Sequence, residues 1–245
     1  MVAGAPDSAA LRAWVRRREA GEPLAWILGT TQFCGLRLHI TPGVYVPRVQ
    51  SEELARCAVR LLPADGRAID LCTGAGAIGA VLARQAPGAL VVGVDIDARA
   101  AACARRNGVP TIVADLAAPI RRGDGFDVVT AVAPYVPAAA LQWLAADVQR
   151  FEPRRALDGG ADGLELVRRV IVAAGRLLRP GGTLLVEVGG SQDADLIEFV
   201  RANRFDPPVA WRDGDGDLRG LAAQRGPAAE IRPHTSDDRR LRSPS

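Results

Sequence analysis

Three acids around a glycine-rich turn are the residues in this sequence best placed to do chemistry together. Thr73-Gly-Ala-Gly-Ala-Ile-Gly79 follows an apolar run and leads into a helical pattern. Gly74, Gly76 and Gly79 permit positive φ and let backbone approach a ligand closely. Their spacing fits a dinucleotide-binding turn, and Asp95, closing the next apolar run, suits ribose hydroxyls in a nicotinamide cofactor or in S-adenosyl-L-methionine alike. The glycines do not choose between the two. Asp70, just before the turn, does: beside a pyrophosphate its charge is unfavourable, whereas a sulfonium cofactor with an amino group tolerates it. Asp115 closes the third run and suits the adenine amino group. The residues expected to hold S-adenosylmethionine are therefore Asp70, Thr73, Gly74, Gly76, Asp95 and Asp115. Two plainer readings stay open: Asp95 and Asp115 as mere helix caps, and a nicotinamide dehydrogenase with Asp70 turned away.

Positioning these acids requires strands alternating with helices. Strands are predicted at 68–72, 90–95, 111–115, 126–132, 183–189, 208–211 and 218–224, and helices at 51–62, 77–85, 97–107, 138–150, 164–178 and 192–203. This alternation predicts an α/β fold with a doubly wound, mostly parallel sheet. Ahead of it, residues 7–20 read as a helix with Asp7 as N-cap, Leu11, Trp14 and Val15 on one face, and Gly21 as its stop. Gly21-Glu-Pro then reads as a turn and 31–40 as a hairpin around Gly35. The expected organisation is an N-terminal helix and hairpin segment (1–49), a catalytic domain (50–225) and a polar, aperiodic, disordered tail (226–245).

Composition narrows the partners. The chain has 245 residues, 48% of them hydrophobic, which is enough for one α/β core with small additions. Its 31 basic residues, all arginine, against 28 acidic ones leave a formal charge of +3, too small to signal a dedicated nucleic-acid binder. No apolar stretch approaches the roughly 20 residues that span a bilayer. The four cysteines lack the short spacings of a zinc site or redox pair, so no metal is expected and a reducing cytoplasm suits them.

With those residues placed, the chain resembles the protein-(glutamine-N5) methyltransferases of the HemK/PrmC type over about residues 21–225. The matches are Gly21-Glu-Pro-Leu-Ala-Trp-Ile-Leu-Gly29, Phe33 with Gly35, and Val46-Pro-Arg48 with Glu52 or Glu53. Further along come the turn at 70–79, Glu152-Pro153, Asp162-Gly163-Leu164, and Pro180-Gly-Gly-Thr-Leu-Leu-Val-Glu-Val-Gly189. The resemblance implies a class I S-adenosylmethionine-dependent methyltransferase fold with sheet order 3-2-1-4-5-7-6 and an antiparallel last strand. It also implies methyl transfer to a glutamine side-chain amide of a protein, and an Asn-Pro-Pro-Tyr motif ending the fourth strand.

Here that motif reads Val132-Ala-Pro-Tyr135, so the expected catalytic residues are Val132, Ala133, Pro134 and Tyr135. An amide nitrogen is a poor nucleophile because its lone pair is delocalised, so both N–H groups must be held and the nitrogen aimed. In the family the Asn side chain and a backbone carbonyl accept those hydrogen bonds. Val132 has no acceptor, which leaves the carbonyl of Ala133 and a substitute such as Thr130 or Glu187. Two alternatives follow: a cofactor-binding protein with weak or no catalysis, and a small-molecule N- or O-methyltransferase. The segment before Gly21 has room for one helix, where the family's release-factor enzymes have a recognition domain of several, and this argues against a release factor as substrate. Arg48 is expected to reach either the cofactor carboxylate or Glu52.

Overall fold

The computed structural model describes residues 7–121 and 125–227. The chain opens with α1 (Ser8–Glu19), α2 (Leu24–Leu28) and a hairpin of β1 (Thr30–Phe33) and β2 (Leu36–His39). After a 3-10 turn at Val49–Ser51 come α3 (Glu52–Leu61), β3 (Arg67–Leu71), α4 (Ala77–Gln85), β4 (Leu90–Asp95), α5 (Ala98–Arg106) and β5 (Thr111–Val113). Next are β6 (Phe126–Ala131), a 3-10 segment at Ala138–Trp143, α6 (Ala146–Phe151), α7 (Glu165–Leu177) and β7 (Leu178–Glu187). The last elements are α8 (Gln192–Ala202), β8 (Val209–Arg212) and β9 (Leu218–Gln224). The main sheet runs β5-β4-β3-β6-β7-β9-β8, with β9 antiparallel to both its neighbours and the other neighbouring pairs parallel. Counted within that sheet alone, this is the implied 3-2-1-4-5-7-6 order.

Side chains alternate across the sheet, as a period of two requires. Ala68, Val128 and Leu185 join the core formed with α3, α4 and α5. Ile69, Leu71, Val129, Ala131, Leu184 and Val186 join the opposite core with α7 and α8. Burying both faces accounts for the long apolar runs in these strands. Truncating one fully buried member such as Leu71 or Leu184 to Ala is expected to cost about 2–5 kcal/mol of unfolding free energy, measurable by denaturant titration.

Residues 25–46 pack into the first of those cores through Trp26, Phe33, Leu38, Ile40, Val44 and Val46. Asn107, just past α5, fastens the hairpin to the glycine turn: its Oδ1 accepts from the His39 N–H (2.8 Å), and its Nδ2 donates to the carbonyls of His39 (2.9 Å) and Ala75 (2.8 Å).

Three local expectations change. The stretch after Gly21-Glu-Pro forms the short helix α2, whose Trp26 donates its indole N–H to the Val44 carbonyl (3.0 Å). The single helix expected over 138–150 is instead a 3-10 segment and α6, because Leu144 and Ala145 are extended between them. Asp7 does cap α1, accepting from the Ala10 N–H (2.7 Å), but α1 buries no residue and Leu11 is 51% exposed. Most of the expected tail, from residue 228 on, lies outside the described residues.

Candidate active site

The chain passes from β3 to β4 and β5 on one side, then returns to β6 on the other, so the strand order reverses between β3 and β6. Crevices outside the carboxyl ends of strands at such a reversal are where open α/β sheets bind ligands. A cleft opens there, lined by Cys72 and Gly74 after β3, Asp95 and Ile96 at the end of β4, Asp115 beyond β5, and Val132 and Pro134 after β6. Gly43, Val44 and Tyr45 from the N-terminal segment close one wall. Two further cavities adjoin it. One is lined by Asp70, Thr73, Ala75, Ile78 and Phe33. The other is lined by Ala133, Tyr135, Leu144, Val148, Glu187 and Arg219. Tyr45 and Val132 line all three, so they stand where the spaces meet.

Local sequence explains the turn. Gly76 caps α4 with φ of 78°, and a Cβ there would lie 2.8 Å from that of Ala104, so only glycine fits. Cys72 holds a left-handed φ of 56° despite its side chain, a conformation that costs about 1–2 kcal/mol. Gly74 donates its N–H to Asp95 Oδ2 (2.8 Å), and Asp97 donates its N–H to Asp95 Oδ1 (2.8 Å).

The three acids differ in surroundings. Asp70 is 2% exposed and accepts from the Thr73 hydroxyl (2.5 Å) and the Thr130 hydroxyl (2.7 Å). Burial pushes its carboxyl up to about 6 against the pull of those hydroxyls and of the Gly79 N–H, and among the described residues it forms no ion pair. Burial likewise raises Asp95. Asp115 lies two residues past β5, about half exposed, with both oxygens on Arg169 Nη2 (2.8 and 2.7 Å). Asp95 and Asp115 thus share the main cleft, while Asp70 faces the adjoining cavity with Thr73. The helix-cap alternative fails: Asp97 is the residue that caps α5, and no helix follows Asp115 directly.

These features fit a cationic, adenosine-bearing cofactor. A carboxylate buried without a counter-cation is the natural complement of an ammonium or sulfonium group, and an acid at a strand end beside an apolar cleft is the complement of a ribose.

At the acceptor end, Tyr135 donates its hydroxyl to Glu187 Oε1 (2.9 Å). Its backbone is pinned by Gln192, whose Nε2 donates to the Tyr135 carbonyl (2.9 Å) and whose Oε1 accepts from the Gly189 N–H (3.0 Å). A Cβ on Gly163, which has φ of 77°, would lie 2.3 Å from that same carbonyl. Gly163→Ala is therefore expected to displace Tyr135 and lower turnover about 10-fold or more, with cofactor affinity held within about 2-fold. Steady-state kinetics beside calorimetry would separate the two.

Arg48 does not pair with Glu52, which binds Arg56 instead. The Arg48 Nη2 meets Glu152 Oε1 at 2.6 Å and the Arg48 guanidinium lies 4.8 Å from the Tyr45 ring centre. The Glu152 side chain is only 1% exposed, and desolvation raises its carboxyl despite the neighbouring guanidinium. Arg48→Met strands that buried charge and is expected to cost about 3 kcal/mol, while Arg48→Met/Glu152→Gln should regain most of it in denaturant titrations. Thr130, one candidate substitute acceptor, is bound to Asp70; Glu187 stays beside the acceptor cavity. Tyr45 and Arg169 line the cleft without having been singled out from the sequence. The aromatic just before Val46-Pro-Arg48 was the available signal for Tyr45.

Residues 36–132 match the methyltransferase small domain family. The release factor glutamine methyltransferase of Geobacter sulfurreducens is 42% identical over 227 residues, 90% of this chain and 79% of that protein. The chain belongs to the protein-(glutamine-N5) methyltransferase family. It is a methyltransferase, and its cofactor is S-adenosylmethionine. Another relative is named for a different acceptor: the 4-amino-L-phenylalanine/4-methylamino-L-phenylalanine methyltransferase of Streptomyces pristinaespiralis, 37% identical over 77% of this chain and 68% of that one. The fold also matches a 16S rRNA N2 G1207 methyltransferase of T. thermophilus solved with AdoMet and guanosine (TM-score 0.52, 20% identity, 80% of this chain and 44% of that one). Among the described residues no helix is long and apolar enough to cross a membrane.

Proposed function

We propose that this methyltransferase acts on the side-chain amide nitrogen of a glutamine in a protein. The observation behind this reading is the 42% identity to a release factor glutamine methyltransferase across nine-tenths of the chain, and the acceptor cavity opening off the cofactor cleft at Val132 and Tyr45 is consistent with it. The same relatives make a release factor the first protein to test, and they outweigh the expectation against one that rested on the short segment before Gly21.

S-adenosylmethionine supplies an electrophilic methyl group on a sulfonium and leaves as a thioether. On our assignment Asp95 holds the ribose hydroxyls, the backbone of Gly74 lies against the ligand while Gly76, packed on Ala104, shapes the turn behind it, and Asp70 with Thr73 faces the cationic amino-acid end. Asp115 and Arg169 flank the cleft, with Asp115 beside the adenine. Pro134 and the pinned backbone of Tyr135 fix the strand end against which the amide lies, and the carbonyl of Ala133 accepts one amide N–H. Apolar side chains, Val132 among them, exclude water from the path between nitrogen and methyl carbon. The proton that the methylated nitrogen must shed leaves afterwards, so no general base is required before transfer.

The test is transfer from methyl-labelled S-adenosylmethionine to purified Geobacter sulfurreducens release factor and to a bacterial lysate, with the modified residue located by mass spectrometry. A methylated glutamine is expected. Tight cofactor binding with no labelled protein would overturn the reading. A second reading, transfer to a small aromatic amine, is favoured by the Streptomyces relative. Turnover of 4-amino-L-phenylalanine, with protein left unlabelled, would establish it in place of the first.

A further inference from the structure

Val132 removes one amide acceptor, yet a carboxylate stands beside it. β6 and β7 pair in parallel with Thr130 opposite Leu185 and Ala131 opposite Val186, so Val132, the residue just past β6, continues alongside Glu187, the last residue of β7. The alternation of the strands puts both on the face that carries Asp70 and Thr130, because Leu185 lies in that core while Leu184 and Val186 lie in the other. Val132 and Glu187 both line the acceptor cavity, and Glu187 is 3% exposed. Its carboxylate has about four acceptor positions. The Tyr135 hydroxyl takes one at 2.9 Å and the Ser51 side chain another, which leaves capacity for a ligand. Tyr45, Arg48, Tyr135 and Arg219 are the charged and titratable groups lining the same cavity.

We infer that Glu187 replaces the missing asparagine, its carboxylate accepting the second N–H of the acceptor amide from one strand over. The inference rests on the glutamine reading above. It also explains how valine is tolerated at 132, since a carboxylate is a stronger acceptor than an amide oxygen. A Gln at 187 keeps an oxygen for Tyr135 but presents an N–H to the substrate, so the effect falls on the acceptor and not on the cofactor.

The experiment is a double-mutant cycle on the full chain, using labelled S-adenosylmethionine and the Geobacter sulfurreducens release factor. Glu187→Gln is expected to lower kcat about 100-fold with cofactor affinity within about 2-fold of the natural chain. Adding Val132→Asn to Glu187→Gln should recover most of that loss, with Val132→Asn alone as the reference against which the recovery is read. A purely structural Glu187 would give lowered thermal stability and no rescue. Should Glu187→Gln fail to fold, Glu187→Asp replaces it, with a smaller loss and the same rescue expected. Full activity in Glu187→Gln, or a folded, cofactor-binding double variant without recovery, overturns this inference alone. No transfer to any glutamine by the natural chain overturns the glutamine reading and this inference with it.

Discussion

Asp70→Asn is expected to stabilise the folded chain at neutral pH while weakening its hold on S-adenosylmethionine. The carboxyl titrates at about 6 when folded, against a reference value of 3.8. The folded state therefore keeps its proton where the unfolded state has lost it. Stability from this group is full below about pH 4 and is lost as pH rises through about 6. The difference corresponds to about 3 kcal/mol across that window. Asparagine remains neutral throughout and still offers an oxygen to Thr73 or Thr130. Denaturant titrations at pH 4 and pH 7 should show the natural chain losing more stability than the variant. Identical pH slopes would contradict this assignment of the proton. Keeping a carboxylate that costs stability makes sense if a bound cation offsets the cost, so the same variant should bind cofactor at least 10-fold more weakly. Binding should also weaken in the natural chain as pH falls below about 6, with proton release on binding, measurable by calorimetry in buffers of different ionisation enthalpy.

Asp95→Ala carries the other large expectation. Hydrogen bonds from hydroxyls to a carboxylate are worth about 1.5–3 kcal/mol each, so losing two from a ribose should raise Kd about 100-fold or more. The substitution also frees the N–H groups of Gly74 and Asp97 that now end on this side chain, loosening the turn itself. Asp95→Asn, which keeps one oxygen, should fall between. NAD should bind none of these forms, because a pyrophosphate at this turn would face Asp70. A variant with unchanged Kd, or competition by NAD, would show that the cleft had been assigned to the wrong ligand.

Much of this was legible from sequence for physical reasons. Strands buried on both faces leave apolar runs, which is why 90–95 and 218–224 were read with their observed limits and why the turn at 73–79 could be set at the end of β3. The acids were found because a charge at the end of an apolar strand is costly unless used. What escaped was long-range or irregular. Arg48 and Glu152 are 104 positions apart, and nothing local to either names the other. α2 is a five-residue helix, too short to form on its own propensity, held by burying Ala25, Trp26 and Ile27 and closed by the left-handed Gly29. Arg169 reaches Asp115 from α7, 54 positions later, and nothing local to either residue names that pair. Glu187 could be paired with Val132 only once the register of β6 and β7 was known.

All of these expectations depend on one continuous site, with acids at the strand ends holding the cofactor and the reacting atoms meeting at Val132 and Tyr45. A crystal structure of the chain with S-adenosylhomocysteine and a glutamine-containing substrate peptide tests that directly. It should show ribose hydroxyls on Asp95, the amino-acid end beside Asp70, the sulfur near Val132 and Tyr45, and the glutamine amide between the Ala133 carbonyl and Glu187. A ligand seated away from Asp70 and Asp95, or a glutamine that reaches the sulfur without approaching Glu187, would contradict such a site.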